Sequence, residues 1–292
     1  MSIANRIEKD YCLKALSTFG IGGKARYFIS IHTIEEMQEL AHFIYQKKLS
    51  YWVVGKGSNS LFDDRGFDGI VILNKIDFIS MDLDKLEVGA GYSFSRLGAQ
   101  TARKGWGGLE FASGIPGTVG GAIYMNAGAN GMETQDSLIA VSFVDEKGSL
   151  IEKSKHELSF SYRTSSFQET KGIIVSACFE LFNKPKAREE QLEIVSYRIQ
   201  TQPYGKKSAG CVFRNPSDRS AGALIEECGL KGKKIGGAEV SSKHANFIVN
   251  VGEATAQDVL KLAHLLKETI LRKTGQELEM EIHPVPYQLK GN

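Results

Sequence analysis

Two glycine-rich stretches are the first candidates for chemistry in this chain. Val54-Gly55-Lys56-Gly57-Ser58-Asn59-Ser60 and Ser113-Gly114-Ile115-Pro116-Gly117-Thr118-Val119-Gly120-Gly121 concentrate residues that permit positive φ and close backbone approach. The first lacks the Gly-Lys-Ser/Thr ending of a phosphate loop and fails the G-x-G-x-x-G spacing at Ser60. The next residues, Phe62-Asp63-Asp64-Arg65-Gly66, do not read as a helix. A strand–loop–strand reading fits, and in such a loop successive N–H groups form a nest for a diphosphate, with Ser58 and Asn59 adding donors. A plain glycine turn fits the spacing as well. In the second stretch Pro116-Gly117 signals a turn. Gly120-Gly121, continued by Asn126-Ala127-Gly128-Ala129, would suit a surface carrying a planar or diphosphate-bearing cofactor. Close packing of one backbone on another is the alternative.

The elements that must position these stretches are legible from periodicity. Thr33-x-x-Glu36 is a capping-box pattern. Met37, Leu40, Ala41, Ile44 and Tyr45 then recur at helical spacing, which predicts a helix over about 34–48. Tyr51–Val54, Gly69–Leu73 and Leu86–Val88 read as strands, with a helix near 94–104. Ile139–Val144 and Leu150-Ile151 flank Asp145-Glu146-Lys147-Gly148 as a hairpin, and Ile173–Leu181 reads as another strand. Asn183-Lys184-Pro185 breaks the pattern and marks a domain boundary, giving domains over 1–184 (core about 20–184) and 185–292. A helix over about 186–201 comes next, with Leu192, Val195 and Ile199 on one face. Further on, Ser220–Cys228 reads as a short helix stopped at Gly229, and Phe247–Asn250 as a strand. Thr255-x-x-Asp258 caps a long helix with Val259, Leu262, Ala263, Leu266 and Ile270 inside and Gly275 after its end. Leu278–Ile282 is the expected closing strand, before Pro284 and Pro286. No internal repeat is present.

The 292 residues are 42% hydrophobic and 24% charged, an ordinary globular balance with length for a sizeable core. A net charge of +2 argues against a nucleic-acid partner, which would need a basic stripe. No apolar run approaches the ~18 residues of a membrane span. Residues 1–16 mix Arg6, Glu8, Lys9 and Asp10 among apolar residues, unlike a signal peptide, so a cytoplasmic location is expected. Cys12, Cys178, Cys211 and Cys228 are far apart and form no CxxC pair; no metal site is expected. Cys12, Cys178 and Cys228 read as small buried fillers.

Beyond the glycine stretches, ordered motifs run nearly the whole chain. They include Leu16-Ser17-Thr18-Phe19 with Gly22-Gly23, Tyr162-Arg163-Thr164-Ser165-Ser166-Phe167 and Ser208-Ala209-Gly210-Cys211-Val212-Phe213-Arg214-Asn215-Pro216. Ala221-Gly222-Ala223-Leu224-Ile225-Glu226, Lys243-His244-Ala245-Asn246-Phe247 and Leu278-Glu279-Met280-Glu281 come after them in order. Together with Gly55–Leu61 and Gly114–Ala122, they resemble the UDP-N-acetylenolpyruvoylglucosamine reductase (MurB) family. About 44 residues separate Phe167 from Cys211, which resembles the short subgroup that lacks a tyrosine-bearing substrate loop.

The resemblance implies an α+β chain: a vanillyl-alcohol-oxidase (PCMH)-type FAD-binding domain followed by a smaller substrate-binding domain. It implies that FAD is held noncovalently by Val54, Gly55, Lys56, Gly57, Ser58, Asn59, Ser60, Gly114, Ile115, Pro116, Gly117, Thr118, Gly120, Gly121, Ala122, Asn126 and Ala127. NADPH would reduce the FAD, and the enolpyruvyl ether of a UDP-sugar would receive the hydride, giving UDP-N-acetylmuramate for peptidoglycan. Arg163 matches the family's cation at the substrate's developing negative charge. Cys211 stands where the family usually has a serine as proton donor; a thiol, with an ordinary pKa of about 8.5, is the more acidic group. Glu281 matches the acidic partner, although on a strand Glu279 would share its face. Arg214 and Asn215 are matched to the UDP-sugar, the arginine suiting a diphosphate through its fork of donors. His244 reads as structural. No oligomeric state is implied; a monomer is compatible. The rival readings are another FAD-dependent oxidase or dehydrogenase of the same superfold, and a redox-inactive UDP-sugar-binding protein.

Overall fold

The computed structural model describes residues 2–288; Met1 and residues 289–292, at the outer ends of the two expected domains, lie outside it. The chain mixes helices and sheets and divides into two compact units. The first comprises residues 1–8, 28–55 and 70–198; the second comprises 9–27, 56–69 and 199–292. A single cut after residue 184 would divide the chain differently. It would put 9–27 and 56–69 with the first part and the helix after Pro185 with the second.

The first unit is built on a five-stranded antiparallel sheet. Its order is Leu150–Ser154, Leu138–Asp145, Gly172–Glu180, Lys85–Gly89 and Ile79–Asp82. Leu86, Val88, Val141, Phe143, Ala177 and Phe179 bury one of its faces. Against them pack α2 (Phe94–Arg103) and α3 (Val119–Tyr124) through Phe94, Leu97, Val119, Ala122 and Ile123. Tyr51–Val54 and Ile70–Leu73, both expected as strands, pair in parallel. Helix α1 (Ile34–Lys47) buries Met37, Leu40, Ala41 and Ile44. Only half of the expected capping box forms. Thr33 Oγ1 accepts Glu36 N, but the Glu36 carboxylate is taken by His32 N and by Arg6.

Helix α4 (Ala187–Thr201) corrects the sequence reading. Leu192 and Ile199, expected inside, are 49% and 48% exposed, whereas Ala187 and Gln191 are buried. Ile194 and Arg198 continue this inward stripe by packing on Gly114. Positions 187, 191, 194 and 198 are as helical in spacing as 192, 195 and 199. The tie is broken by Gly114, whose missing side chain admits the Arg198 stem.

The second unit has its own core, in which α5 (Ala221–Glu227) and α6 (Ala256–Thr274) cover the three-stranded sheet Lys234–Ile235, Ala238–Val240, Ile248–Asn250. Val259, Leu262, Ala263, Leu266 and Ile270 are all buried as the heptad-like spacing requires. The Thr255/Asp258 capping box is complete, Gly275 ends the helix at φ 73°, and Asp64 accepts Ala256 N and Gln257 N. A carboxylate there also suits the helix dipole. The closing strand is His283–Val285 rather than 278–282, and it runs parallel to Ser60–Phe62. Pro284 is tolerated inside it because the bonds are made by its neighbours: His283 N donates to Asn59 O, and Val285 O accepts Asp63 N. Of the three expected buried cysteines only Cys228 is buried; Cys12 is exposed and Cys178 half-buried. Cys12 ends an exposed strand, Glu8–Cys12, with no core face.

Candidate functional site

The first glycine stretch is a loop between strands, as its spacing implies: Tyr51–Val54, then 55–59, then Ser60–Phe62. The chain passes from the first unit to the second between Gly55 and Lys56. Within the first unit, Gly55 meets the second stretch. A Cβ on Gly55 would lie 2.8 Å from Thr118 Cγ2 and nearer still to its Oγ1. Only glycine lets these two stretches touch. Within the second unit, Gly57 has φ +60° and its bare Cα faces the carbonyl of Leu16. Its own carbonyl accepts both Thr18 N and Thr18 Oγ1 at 3.2 Å. The Leu16–Phe19 motif therefore braces the loop from behind, with Ser17 Oγ donating to Ser60 O.

Ser113–Gly121 contains a turn and the start of α3. Thr118 caps the helix through Gly121 N at 3.4 Å. Val119 N donates to Tyr92 O and Gly120 N to Ala90 O, both at 2.9 Å, while Gly117 O accepts Phe94 N. The first N–H groups of α3 are thus already bonded, and what its start offers is small side chains rather than spare donors. Gly120 lies against Ala90, where a Cβ would sit 3.0 Å from the alanine methyl. Two polar atoms beside Gly114, Ser113 Oγ and Arg198 Nε, are buried without a hydrogen-bond partner. Val54, Gly114, Thr118 and Ala122 are buried, Ile115, Gly117 and Ala127 half-buried, and Pro116 exposed.

Asn126, expected among the cofactor residues, is fully buried at φ +41°, and its amide is committed to protein. Nδ2 donates to Glu133 Oε2 at 2.7 Å and to Ser161 O at 2.9 Å, and Oδ1 accepts Gln135 N at 3.1 Å. Arg163 stands nearby in a two-residue turn between the short strands Phe160–Ser161 and Thr164–Ser165. It is half-buried, has φ +57°, and donates from Nη2 to Gly128 O at 3.0 Å. A left-handed backbone at a long side chain costs about 1–3 kcal/mol and persists only where neighbours hold it.

The second unit brings Cys211, Arg214, Asn215, Asn59 and Glu281 onto adjoining backbone. Cys211, half-buried, bridges Phe247, and Phe213 bridges Met280, both antiparallel. Glu281 N donates to Val212 O at 2.8 Å and Arg214 N to Glu279 O at 2.9 Å. The two glutamates are then distinguished. Glu279 is largely exposed and lies 3.7 Å from Arg214 Nη1, whereas Glu281 is half-buried. Asn59 does not simply point its amide at a ligand: Nδ2 donates to Glu281 O at 3.1 Å. Asn215 uses Oδ1 to accept Ala221 N at the start of α5. His283, beside Arg214, is driven below the ordinary histidine value by burial and then by the arginine's charge. His244 packs edge-on to Phe247, with ring centroids 4.9 Å apart.

Asn246 was visible in the sequence only as part of a motif. Its amide clamps Phe213 from both sides, accepting Phe213 N at 3.0 Å and donating to Phe213 O at 2.8 Å, and so fixes the backbone between Cys211 and Arg214. Gln168, Glu133 and Gln135 carried no signal at all, because their partners are main-chain groups far away in sequence or an already buried amide. Among the described residues, no helix is long and apolar enough to cross a membrane.

Two family models match separate stretches of the chain. A family model described as the UDP-N-acetylenolpyruvoylglucosamine reductase C-terminal domain matches residues 202–285, and one described as an FAD binding domain matches residues 25–154. The chain is 60% identical to a UDP-N-acetylenolpyruvoylglucosamine reductase of Protochlamydia amoebophila, over 99% of its length and 97% of the relative's. Identity to the protein of that name from Chlamydia muridarum is 46%, covering 97% and 95%. Among solved structures, the reductase MurB from Thermus caldophilus superposes with a TM-score of 0.83 at 38% identity, covering 96% of this chain and 99% of that one.

Proposed function

The chain belongs to the UDP-N-acetylenolpyruvoylglucosamine reductase family, and from that premise we propose how its own residues divide the work. Its fold is α+β, an FAD-binding domain of the vanillyl-alcohol-oxidase type followed by a smaller substrate-binding domain. It reduces the enolpyruvyl ether of UDP-N-acetylglucosamine enolpyruvate to UDP-N-acetylmuramate with NADPH and noncovalent FAD. When bound, FAD supplies a two-electron carrier between NADPH and the double bond of the substrate.

The residues present fit that group. Gly55 lets the loop lie directly against Thr118 of the second glycine stretch, where any side chain would clash. Ser113 Oγ and Arg198 Nε, buried beside Gly114 without partners, would find acceptors in a diphosphate-bearing ligand. The observation that carries the reading is the contact of Gly55 with Thr118, which brings the two glycine stretches together.

In this reading Arg163 stabilises the negative charge that develops on the enolpyruvyl carboxylate as hydride reaches the methylene carbon. Cys211 Sγ–H gives its proton to the carbon bearing the ether oxygen, and the thiolate is reprotonated from solvent. Glu281 is favoured over Glu279 because Glu279 is exposed and faces Arg214, whereas Glu281 is held by Val212 and Asn59. Arg214 serves the UDP diphosphate. A cytoplasmic location accords with NADPH and a UDP-sugar as substrates.

The test is spectroscopic. Purified protein is expected to be yellow, to release FAD in trichloroacetic acid, to bleach with NADPH without oxygen and to recover colour with UDP-N-acetylglucosamine enolpyruvate. A protein that binds no flavin, or whose reduced flavin ignores that substrate, would refute the reading.

A further inference from the structure

Arg163 occupies a backbone conformation that its residue type disfavours, so something outside the turn must hold it. Two amide side chains do so. Gln168 Nε2 donates to Arg163 O at 3.1 Å and to Tyr124 O at 2.9 Å. Asn126 Nδ2 donates to Ser161 O, two residues before Arg163. Ser165 Oγ adds a bond to Tyr124 O at 2.7 Å. Together these bonds tie the turn to the C-terminal end of α3 and to the residues just after it. The guanidinium takes the same direction, through its bond to Gly128 O. The turn is thereby registered on the small-residue helix of the second glycine stretch rather than on its own two-residue hairpin, which is too short to fix anything.

We propose that Gln168, with Asn126 behind it, is a positioning residue for Arg163: it locks the turn in the left-handed conformation and sets where the guanidinium stands relative to α3. This rests on the reading of Arg163 given above. The amide group is suited to the task because one NH₂ reaches two carbonyls at once. Gln168 is half-buried and outside the core clusters, so its loss loosens the turn without opening a cavity. Asn126 is fully buried and its substitution would unsettle the surrounding fold, so the decisive variant is at Gln168.

Gln168→Met keeps the length of the side chain and removes both donors. Holoenzyme of this variant is expected to retain its flavin and its thermal transition and to be reduced by NADPH at the parent rate. Reoxidation by UDP-N-acetylglucosamine enolpyruvate is expected to slow about 10–100-fold, the scale set by misplacing a catalytic group by about an ångström. In an Arg163→Ala background, where no guanidinium is left to position, Gln168→Met is expected to slow reoxidation no further. Equal slowing of both half-reactions, an unchanged reoxidation rate, or a full additional loss in the Arg163→Ala background would each overturn the proposal. If Arg163→Ala itself leaves reoxidation unchanged, the role of Arg163 falls and the inference falls with it; if Arg163→Ala is slow and Gln168→Met is not, the inference alone fails.

Discussion

Gly55→Ala tests whether the two glycine stretches meet as described. Gly55 does not have the positive φ of Gly57, so an alanine there meets no backbone penalty and the cost is steric. Its Cβ would stand 2.8 Å from Thr118 Cγ2 and 3.1 Å from Thr118 Cβ, where carbon atoms rest at about 3.5–4.0 Å. Either the loop retreats, or buried Thr118 turns its side chain away and gives up the cap on Gly121 N. Overpacking costs about 1–3 kcal/mol. Loss of a threonine cap costs about 1 kcal/mol. Gly55→Ala is therefore expected to destabilise the first unit by about 2–4 kcal/mol. Thr118→Ala alone should cost about 1 kcal/mol. The double variant removes Oγ1 and Cγ2 and leaves a 3.1 Å approach to Cβ. It should recover about 1–2 kcal/mol of coupling. Both tryptophans, Trp52 and Trp106, lie in the first unit, so urea unfolding followed by tryptophan fluorescence on flavin-free protein reads it directly. A Gly55→Ala protein within about 0.5 kcal/mol of the parent, or strictly additive effects, would show that the stretches do not touch in this way. Gly57→Ala supplies the contrast: its obstacle is the main chain of Leu16, which no truncation can remove.

Cys211→Ser is expected to keep much of the activity, whereas Cys211→Ala should leave flavin reduction by NADPH intact and slow reoxidation by the UDP-substrate; equal slowing in stopped flow would contradict a proton-donor role. Arg198→Met keeps the packing on Gly114 and removes the buried Nε. A lost charge-assisted bond of about 1.5–3 kcal/mol should weaken FAD binding about 10–100-fold, read by fluorescence titration of the apoprotein, and an unchanged Kd would remove Arg198 from the cofactor's surroundings. His283, pushed down by burial and Arg214, stays neutral in the fold while the unfolded chain takes up a proton. Its contribution to stability is thus complete above the ordinary value of about 6.5 and is lost as the pH falls toward the folded value. The urea midpoint should drop as the pH falls below about 6.5, and His283→Gln should flatten that drop; a pH slope unchanged by the substitution would rule it out.

Legibility in the sequence tracks the uniqueness of each pattern. Elements whose apolar positions are unique in period, such as α1 and α6, were legible to within a residue or two, because one stripe alone could face a core. Helix α4 was not: it carries two stripes of equal spacing, and the choice between them was made by Gly114, more than seventy residues earlier. Arg163, Cys211 and Glu281, the residues proposed to carry the chemistry, were visible through motifs. The side chains that hold them were not, since an amide's partner depends on which carbonyl the fold delivers. Asn59 and Asn126 illustrate the difference. Both were expected to face a cofactor, and both spend amide bonds on backbone, at Glu281 and Ser161. The strand His283–Val285 was hidden because a proline at its centre argues against pairing unless the alternate residues make the bonds.

The bond from Asn59 to Glu281 spans 222 positions of chain. Closing a loop of that size costs roughly 5 kcal/mol of chain entropy before any contact repays it. Synthesis proceeds at about 5–20 residues per second, so roughly 10–45 s separate the emergence of the two partners. The second unit collects residues 9–27 and 56–69 early and waits for the stretch after 199 to complete its core. Lys56-Gly57-Ser58-Asn59-Ser60 is accordingly made long before its partner strand and spends the interval as a polar segment. Any ligand that needs this loop in its final shape binds only after residue 283 has left the ribosome.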